Sequence, residues 1–407
     1  MPKIQSIKAH KIVNSRGDWT IQARVTLDDG SVGVQTVPDG ASKGENEAIC
    51  IPAEKSAELV STVLNDALKG KDPFNQTAID EFMINMDGTP NKEHLGGNSI
   101  LAVSLSVAAA CAVSQKLELY QYLSQLYTGK VLTRAELKFP TPVFNIINGG
   151  KHAQNNLSFQ EFMVIPAAGT PFEKSVEIGV KVYHELKDIL HTEGFVTSVG
   201  DEGGFAPGGL TVHTALTKIK AAAQKVGVVG KDIFFGMDVA AESFCKDGKY
   251  NISEEKLVLN AKELGDYYGK LLKEFELIYV EDGFYERDTQ GWKDFYALHK
   301  DHLMVVADDL VVTNPKFLKM AIDGQMANAV IVKPNQVGSL TETFRFVKMA
   351  QNAGMHTIVS HRSGETGESS FIADLALAVG ADFIKSGAPV RGERVVKYNR
   401  LLDVYNS

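Results

Sequence analysis

Between Ile233 and Lys385 the chain repeats one unit, a short apolar run that ends on a charged or hydrogen-bonding residue. Ile233–Met237 ends at Asp238, Leu277–Val280 at Glu281, Met304–Ala307 at Asp308, and Ala329–Val332 at Lys333. His356–Ser360 runs into His361, Arg362 and Ser363, and Asp382–Ile384 runs into Lys385. From Glu281 onward the terminal residues stand 27, 25, 28 and 24 positions apart. A buried strand with a covering helix takes roughly that much chain. Such units close into a parallel barrel whose chemistry gathers at the C-terminal ends of the strands. The ladder therefore predicts three carboxylates, two lysines, a histidine and an arginine facing one mouth.

Upstream the pattern changes. Residues 3–13, Thr20–Leu27 and Ser31–Val37 read as strands, the last two joined by Asp28-Asp29-Gly30. Ala57–Leu68, Gln76–Met83 and Asn98–Val113 carry helical periodicity, with Asn98 placed to cap the third. Glycine and prolines between Gly129 and Pro142 mark a boundary. The fold class is thus α/β: an N-terminal α+β domain over 1–128, a three-stranded sheet plus helices, and a C-terminal (β/α)8 barrel over 139–407. Within the barrel, Phe159–Ile165 reads as a strand, Ser175–Leu190 as an amphipathic helix and Thr366–Val379 as a helix.

Several function classes drop out early. A net charge of −8 argues against a general basic surface for nucleic acid or anionic lipid. The N-terminus has no apolar run of the secretory type. Leu101–Val113 is too short to span a bilayer and reads as a buried helix. Cys50, Cys111 and Cys245 show no metal-binding spacing; their odd number fits a reducing compartment, with all three buried.

The chemistry follows from the strand ends. Asp238, Glu281 and Asp308 are hard oxygen donors without an accompanying cysteine, which suits Mg²⁺ before Zn²⁺. Lys333 ends the next strand, and nearby cations would favour its neutral, basic form. A salt bridge across the barrel would use the same lysine. Arg362 and Ser363 could clamp a phosphate or carboxylate, and Lys385 adds a point charge. Two adjacent carboxylates, Asp201 and Glu202, lie among glycines that let backbone approach a ligand. The small-residue loop Pro38–Gly44 is of a kind that closes over a site. Metal, cations and a lysine base together suit removal of a proton next to a carboxylate. A Schiff-base aldolase using Lys333 also fits these residues alone.

At these positions the chain resembles the enolase (phosphopyruvate hydratase) family over nearly its whole length. The matching stretches include Gly40-Ala-Ser-Lys-Gly44, Leu95-Gly-Gly-Asn-Ser-Ile-Leu101, Asn148-Gly-Gly-Lys-His152, Gln160-Glu-Phe-Met163 and Gly200-Asp-Glu-Gly-Gly204. Ala307-Asp-Asp-Leu310, Val312-Thr-Asn-Pro315 and the specific Ser360-His-Arg-Ser-Gly-Glu-Thr366 continue it. The resemblance implies reversible dehydration of 2-phospho-D-glycerate to phosphoenolpyruvate with two Mg²⁺ per site. It implies Lys333 as base, Glu202 as acid with Glu161 beside it, and Asp238, Glu281 and Asp308 as ligands of the first metal. Ser42 matches a ligand of the second. Arg362 and Ser363 match phosphate contacts, Lys385 a carboxylate contact, and His152, Gln160 and His361 further substrate-pocket positions. A charge count makes the second Mg²⁺ bind with substrate. A cytoplasmic homo-oligomer, dimer or octamer, is implied too, with a secondary cell-surface location left open. The alternatives are a paralogue acting on a related phosphorylated or carboxylated acid, and a fold-retaining binding protein.

The sequence also departs from the family pattern. Asp39 and Lys43 replace a serine and a threonine in the loop, Gly283 replaces a proline after Glu281-Asp282, and Pro334 replaces a valine after Lys333. A carboxylate at Asp39 is expected to repel a substrate phosphate unless Lys43 or a metal compensates. Gly283 and Pro334 adjoin a ligand and the base, where a misplacement of ~1 Å costs ~10²-fold in rate.

Overall fold

The computed structural model describes residues 1–41, 44–367 and 369–407. Three antiparallel strands come first: β1 (Ile4–Val13), β2 (Trp19–Leu27) and β3 (Val32–Thr36). Ile21, Ala23, Val25 and Leu27 alternate along β2 and are fully buried, as a sheet with one core face requires. The helix Gly97–Gln115 covers that face and is apolar nearly all round, a composition that suits a core position. It is long and apolar enough to cross a membrane, yet 83% of its apolar window is buried inside the fold. Its N-cap is Gly96, not the expected Asn98, whose side chain instead pairs with both backbone groups of Ile51.

The barrel strands are β4 (Thr141–Asn148), β5 (Glu161–Pro166) and β6 (Ile233–Asp238), then, after a small sheet of β7 (Cys245–Lys246), β8 (Lys249–Ile252) and β9 (Leu257–Leu259), five more. These are β10 (Leu277–Glu281), β11 (Met304–Ala307), β12 (Ala329–Val332), β13 (His356–Ser360) and β14 (Phe383–Lys385). The closed order is β10-β11-β12-β13-β14-β4-β5-β6. The expected eight-stranded barrel is there, with one refinement. β5 runs antiparallel to both β4 and β6. The link from β4 to β5, residues 149–160, holds only the short turn Gly150–His152 and no helix of the kind that usually makes a parallel return. The inversion matters for the site, because it brings the first residue of β5, Glu161, to the mouth opposite Asp238.

Val143, Met163, Ile165, Tyr279, Val306, Ala329, Ile331, Ile358 and Phe383 pack together inside the barrel. Strand β6 contributes Gly236 there. A Cβ at this position would lie 2.9 Å from the Tyr279 Cβ and 3.1 Å from Ile165 Cδ1, so larger neighbours have taken its space.

Two further expectations change. The helix predicted from Thr366 begins at Phe371. Glu365 accepts from the Arg362 amide and from Lys397, and the Thr366 hydroxyl lies 2.5 Å from that of Thr36, so this segment is tied into the site before any helix starts. Of the cysteines only Cys111 is buried; Cys50 and Cys245 are half-buried. The N-terminal unit meets the barrel mouth directly. The Ser15 amide donates to the Glu365 carbonyl at 2.7 Å, and the Ser15 hydroxyl to the Ser363 carbonyl at 3.2 Å.

Candidate active site

The barrel geometry explains why residues far apart in sequence converge. Asp238, Glu281 and Lys385 are the last residues of β6, β10 and β14. Asp308, Lys333 and His361 immediately follow β11, β12 and β13. His152, Gln160, Glu161, Glu202, Asp238, Lys333, His361, Arg362, Ser363 and Lys385 line one cavity of about 260 Å³ with Gly40 and Ser360. A larger cavity of about 1090 Å³ between Phe74, Tyr127 and Phe344 holds no comparable cluster of charge. Glu281 and Asp308 do not line the small cavity; they meet Lys385 and Lys333, which do. Ser42 and Lys43 lie outside the described residues.

Two lysines neutralise the carboxylate triad. Lys385 Nζ lies 2.9 Å from Glu281, 3.1 Å from Asp238 and 3.2 Å from Glu161. Lys333 Nζ is bonded to Asp308. Burial alone would push both lysines down, but the carboxylates around them prevail and hold both above the ordinary ammonium range. Lys333 is thus held charged, the opposite of what a base needs. Asp308 moves the other way: burial would raise it, and Lys333 holds it below the usual carboxylate range. Gln336 donates to its second oxygen at 2.8 Å. Burial, then Asp238, push Glu281 up to about 8. Its Oε1 is buried without a partner, while Oε2 accepts from Tyr279 at 2.5 Å. An orphaned carboxylate oxygen among three acids is what a hard divalent cation would satisfy, so the donor set fits Mg²⁺. Asp282, Asp308 and Asp309 also bring carboxylate oxygens within 4.8 Å of one another. There, however, Asp282 already accepts the amides of Asp308 and Asp309 at 3.0 and 2.9 Å.

The other side of the mouth has a different character. His152, Glu161 and Glu202 bring their polar atoms within 4.8 Å of one another. His152 Nδ1 lies 3.5 Å from an oxygen of each glutamate. Asn145 donates to Glu202 at 3.0 Å, and His361 Nε2 faces the same oxygen at 3.3 Å. Burial holds both imidazoles below their usual range, His361 at about 4. Burial and the charge of Glu202 push Glu161 well above its usual range. Burial would raise Glu202 as well, but His152 and His361 draw it down. The surroundings therefore favour protonation of Glu161 over Glu202 within this coupled pair.

Arg362 does not stand open for an anion. It donates to both oxygens of Glu47 at 2.9 and 3.1 Å and to Asn335 at 3.3 Å. Asp39 pairs through its backbone with Gly364 at 2.9 and 2.8 Å, and the Ala41 amide donates to the Ser363 hydroxyl at 2.7 Å. The small-residue loop is thus docked on the segment carrying Arg362. The Asp39 carboxylate accepts from the next amide, Gly40, at 3.0 Å. Pro334 finds a local reason: it is the first residue of the turn of helix Pro334–Val337, capped by an extended Lys333, where proline fits without strain. Gly283 has an ordinary backbone angle and accepts from Tyr268 through its carbonyl at 2.7 Å.

Glu47, Asn145, Gln336, Tyr279 and Arg394 touch the site although nothing in the sequence reading assigned them a part. Asn145 and Tyr279 are polar groups inside otherwise apolar strands, a signal that could have found them. Glu47 carries no such mark.

A capped α/β barrel whose mouth sets buried carboxylates against lysines defines an enzyme for a small anionic substrate. The description "Enolase, C-terminal TIM barrel domain" matches residues 136–407, and "Enolase, N-terminal domain" matches residues 4–123. Among similar proteins are the enolases of Lactobacillus helveticus and Lactobacillus acidophilus and enolase 3 of Lactobacillus johnsonii. Each is 45% identical over 415 aligned residues, covering 98% of this chain and 94% of the relative. The chain belongs to the enolase family.

Proposed function

We propose that the protein is an active phosphopyruvate hydratase, a Mg²⁺-dependent lyase that reversibly dehydrates 2-phospho-D-glycerate to phosphoenolpyruvate in glycolysis and gluconeogenesis. One observation carries the assignment of roles. In the eight-strand order β12 and β5 stand diametrically opposite, so Lys333 and the Glu161–Glu202 pair face each other across the mouth. Elimination of water needs a base and an acid on opposite sides of one substrate. Lys333 takes the proton from C2. Glu202, supplied from the proton that Glu161 holds, protonates the hydroxide leaving C3, and water departs. Arg362 and Ser363 receive the phosphate and Lys385 the carboxylate, with His152, Gln160 and His361 shaping the pocket.

Asp238, Glu281 and Asp308 would hold the first Mg²⁺ and Ser42 would join a second one with substrate. Bound there, the metal charge would offset the substrate's anionic groups and relieve Lys333 of its carboxylate partner, favouring its neutral form. The residues 1–128 and 139–407 are taken as the two domains. The same reading makes the protein a cytoplasmic homo-oligomer, dimer or octamer, that binds a small phosphorylated acid.

The test is formation of phosphoenolpyruvate absorbance from 2-phosphoglycerate, with and without Mg²⁺. Turnover should require the metal and disappear in Lys333→Ala. A substrate screen accompanies it; a better substrate than 2-phosphoglycerate would move the assignment to a related acid.

A further inference from the structure

We propose that Arg394 is a positioning residue of the acid half of the site: it fixes the tautomer of His361, so that the imidazole presents an N–H to Glu202. Arg394 lies in the C-terminal helix Gly392–Asn406 and is fully buried. Its Nη1 sits 2.5 Å from His361 Nδ1 and 2.6 Å from the Arg362 carbonyl. Its Nη2 donates to the Ser363 carbonyl at 2.7 Å and to the Asp201 carbonyl at 3.0 Å. A guanidinium has only donors and stays protonated in proteins. His361 Nδ1 must therefore accept, which leaves the ring proton on Nε2. That nitrogen lies 3.3 Å from Glu202 Oε2, close but not aligned as a hydrogen bond, and has no other hydrogen-bond partner among the described residues. The other tautomer would set two donors against each other at Nδ1 and two lone pairs against each other at Nε2.

The same guanidinium ties together the two loops that carry these partners. Asp201 belongs to the loop of Glu202, and Arg362 and Ser363 to that of His361. The side chains of Arg394 and His361 and the backbone of Glu202 also close on Gly387, whose φ is +77°. A Cβ there would come within 2.6 Å of the Glu202 carbonyl, 3.1 Å of Arg394 Cδ and 3.2 Å of His361 Cε1. The backbone of Gly387 is thus the floor on which the triad rests.

The consequence is specific to one half of the reaction. Glu202 passes to the departing hydroxide a proton it takes from Glu161 and so returns to a buried carboxylate. The His361 N–H and the Asn145 amide are the donors that stabilise it at that moment. Removal of the C2 proton is the work of Lys333 across the barrel; because Arg394 also holds the Arg362 and Ser363 carbonyls, the two rates are compared at saturating substrate. This kinetic part rests on the reading of Glu202 as the acid; the tautomer part does not.

Two measurements test it. The first is nitrogen-15 NMR of histidine-labelled wild-type protein, with His361 assigned by its loss in His361→Asn. The expected result is a protonated Nε2 and an unprotonated Nδ1; a protonated Nδ1 overturns the proposal without any Arg394 variant. The second compares dehydration with exchange of the C2 hydrogen in heavy water, for Arg394→Met and Arg394→Lys. Arg394→Met should lower dehydration by about 10- to 100-fold, the usual cost of losing an orienting partner, with exchange changed far less. Arg394→Lys, which keeps a donor, should recover part of the loss. Equal falls in both rates would mean a structural role only and would overturn the proposal. A wild-type protein with the expected tautomer but no turnover of 2-phosphoglycerate would sink the proposed function and leave the tautomer assignment standing.

Discussion

The two halves of the mouth handle buried charge in opposite ways. On the base half, Asp238, Glu281 and Asp308 are matched by lysines, and Lys333 and Asp308 hold each other ionised, although burial and Asp238 still push Glu281 up to about 8. On the acid half, Glu202 meets two imidazoles that burial keeps neutral and an asparagine amide. Among the described residues no lysine or arginine lies within ion-pair distance of Glu202. Lys385 reaches Glu161, but burial and Glu202 still raise that carboxyl. A half built from ion pairs can exchange one cation for another, as metal binding requires. The acid half has, among the described residues, no cation of its own beyond the Lys385 it shares with Asp238 and Glu281, and burial with the charge of Glu202 favours a proton on Glu161.

The largest effect should come from Lys333→Ala. Both dehydration and C2 exchange should fall by about 10³- to 10⁴-fold, the upper range for a general base. Retained exchange in that variant would move the base elsewhere and break the comparison. Glu202→Gln should lower dehydration by about 10²- to 10³-fold while exchange stays within a few-fold, because only the departing hydroxide needs that proton. If exchange fell equally, the halves would not be separable. Arg362→Lys replaces a planar fork by a point charge. The loss of charged hydrogen bonds worth roughly 1.5–3 kcal/mol should raise KM for 2-phosphoglycerate about 10- to 100-fold with a smaller change in kcat. An unchanged KM would mean that the pairing with Glu47 persists with substrate bound and that the phosphate sits elsewhere.

Much of the base half was legible in the ladder, because each of its residues ends or directly follows an apolar strand. Asp238, Glu281 and Lys385 fall on the last residues of their strands as read. The acid half was harder. Glu161 reaches the mouth only because β5 is inverted, a consequence of a short link that apolar periodicity does not encode. Glu202 lies on a glycine-rich loop, and only its odd composition and the family resemblance pointed to it. Asn98 looked like a helix cap by local chemistry, but a tertiary partner, the Ile51 backbone, took its side chain. The Thr366 segment looked helical for the same reason and was claimed by Thr36 and, through Glu365, by Lys397. Arg394 and Glu47 act through partners more than 30 and 300 positions away, respectively, and no local pattern announces such contacts.

The rule drawn from the acid half extends to Asp80, outside the mouth, where the expected effect is the smallest. Asp80 is fully buried where the helix Gln76–Asp87 meets the barrel helix Leu340–Asn352. It accepts from the Thr341 amide at 2.9 Å, the Thr341 hydroxyl at 2.6 Å and Gln76 at 3.0 Å, all neutral donors. Burial outweighs these bonds and raises its pKa from 3.8 to about 6. The folded state therefore binds more protons than the unfolded chain between those values. The stability this group contributes is complete below pH about 4 and is lost as pH rises through about 6. The two-unit displacement corresponds to about 3 kcal/mol at 1.36 kcal/mol per unit. Asp80→Asn does not titrate, so it serves as the reference. Urea unfolding of both proteins at about pH 4.5, low in that window, and about pH 7.5, above it, should show wild type losing stability relative to Asp80→Asn as pH rises. Most of the ~3 kcal/mol should appear in that difference. A difference that stayed flat would mean the seam neutralises Asp80 by some other route. A buried carboxylate met only by neutral donors would then not have to keep its proton.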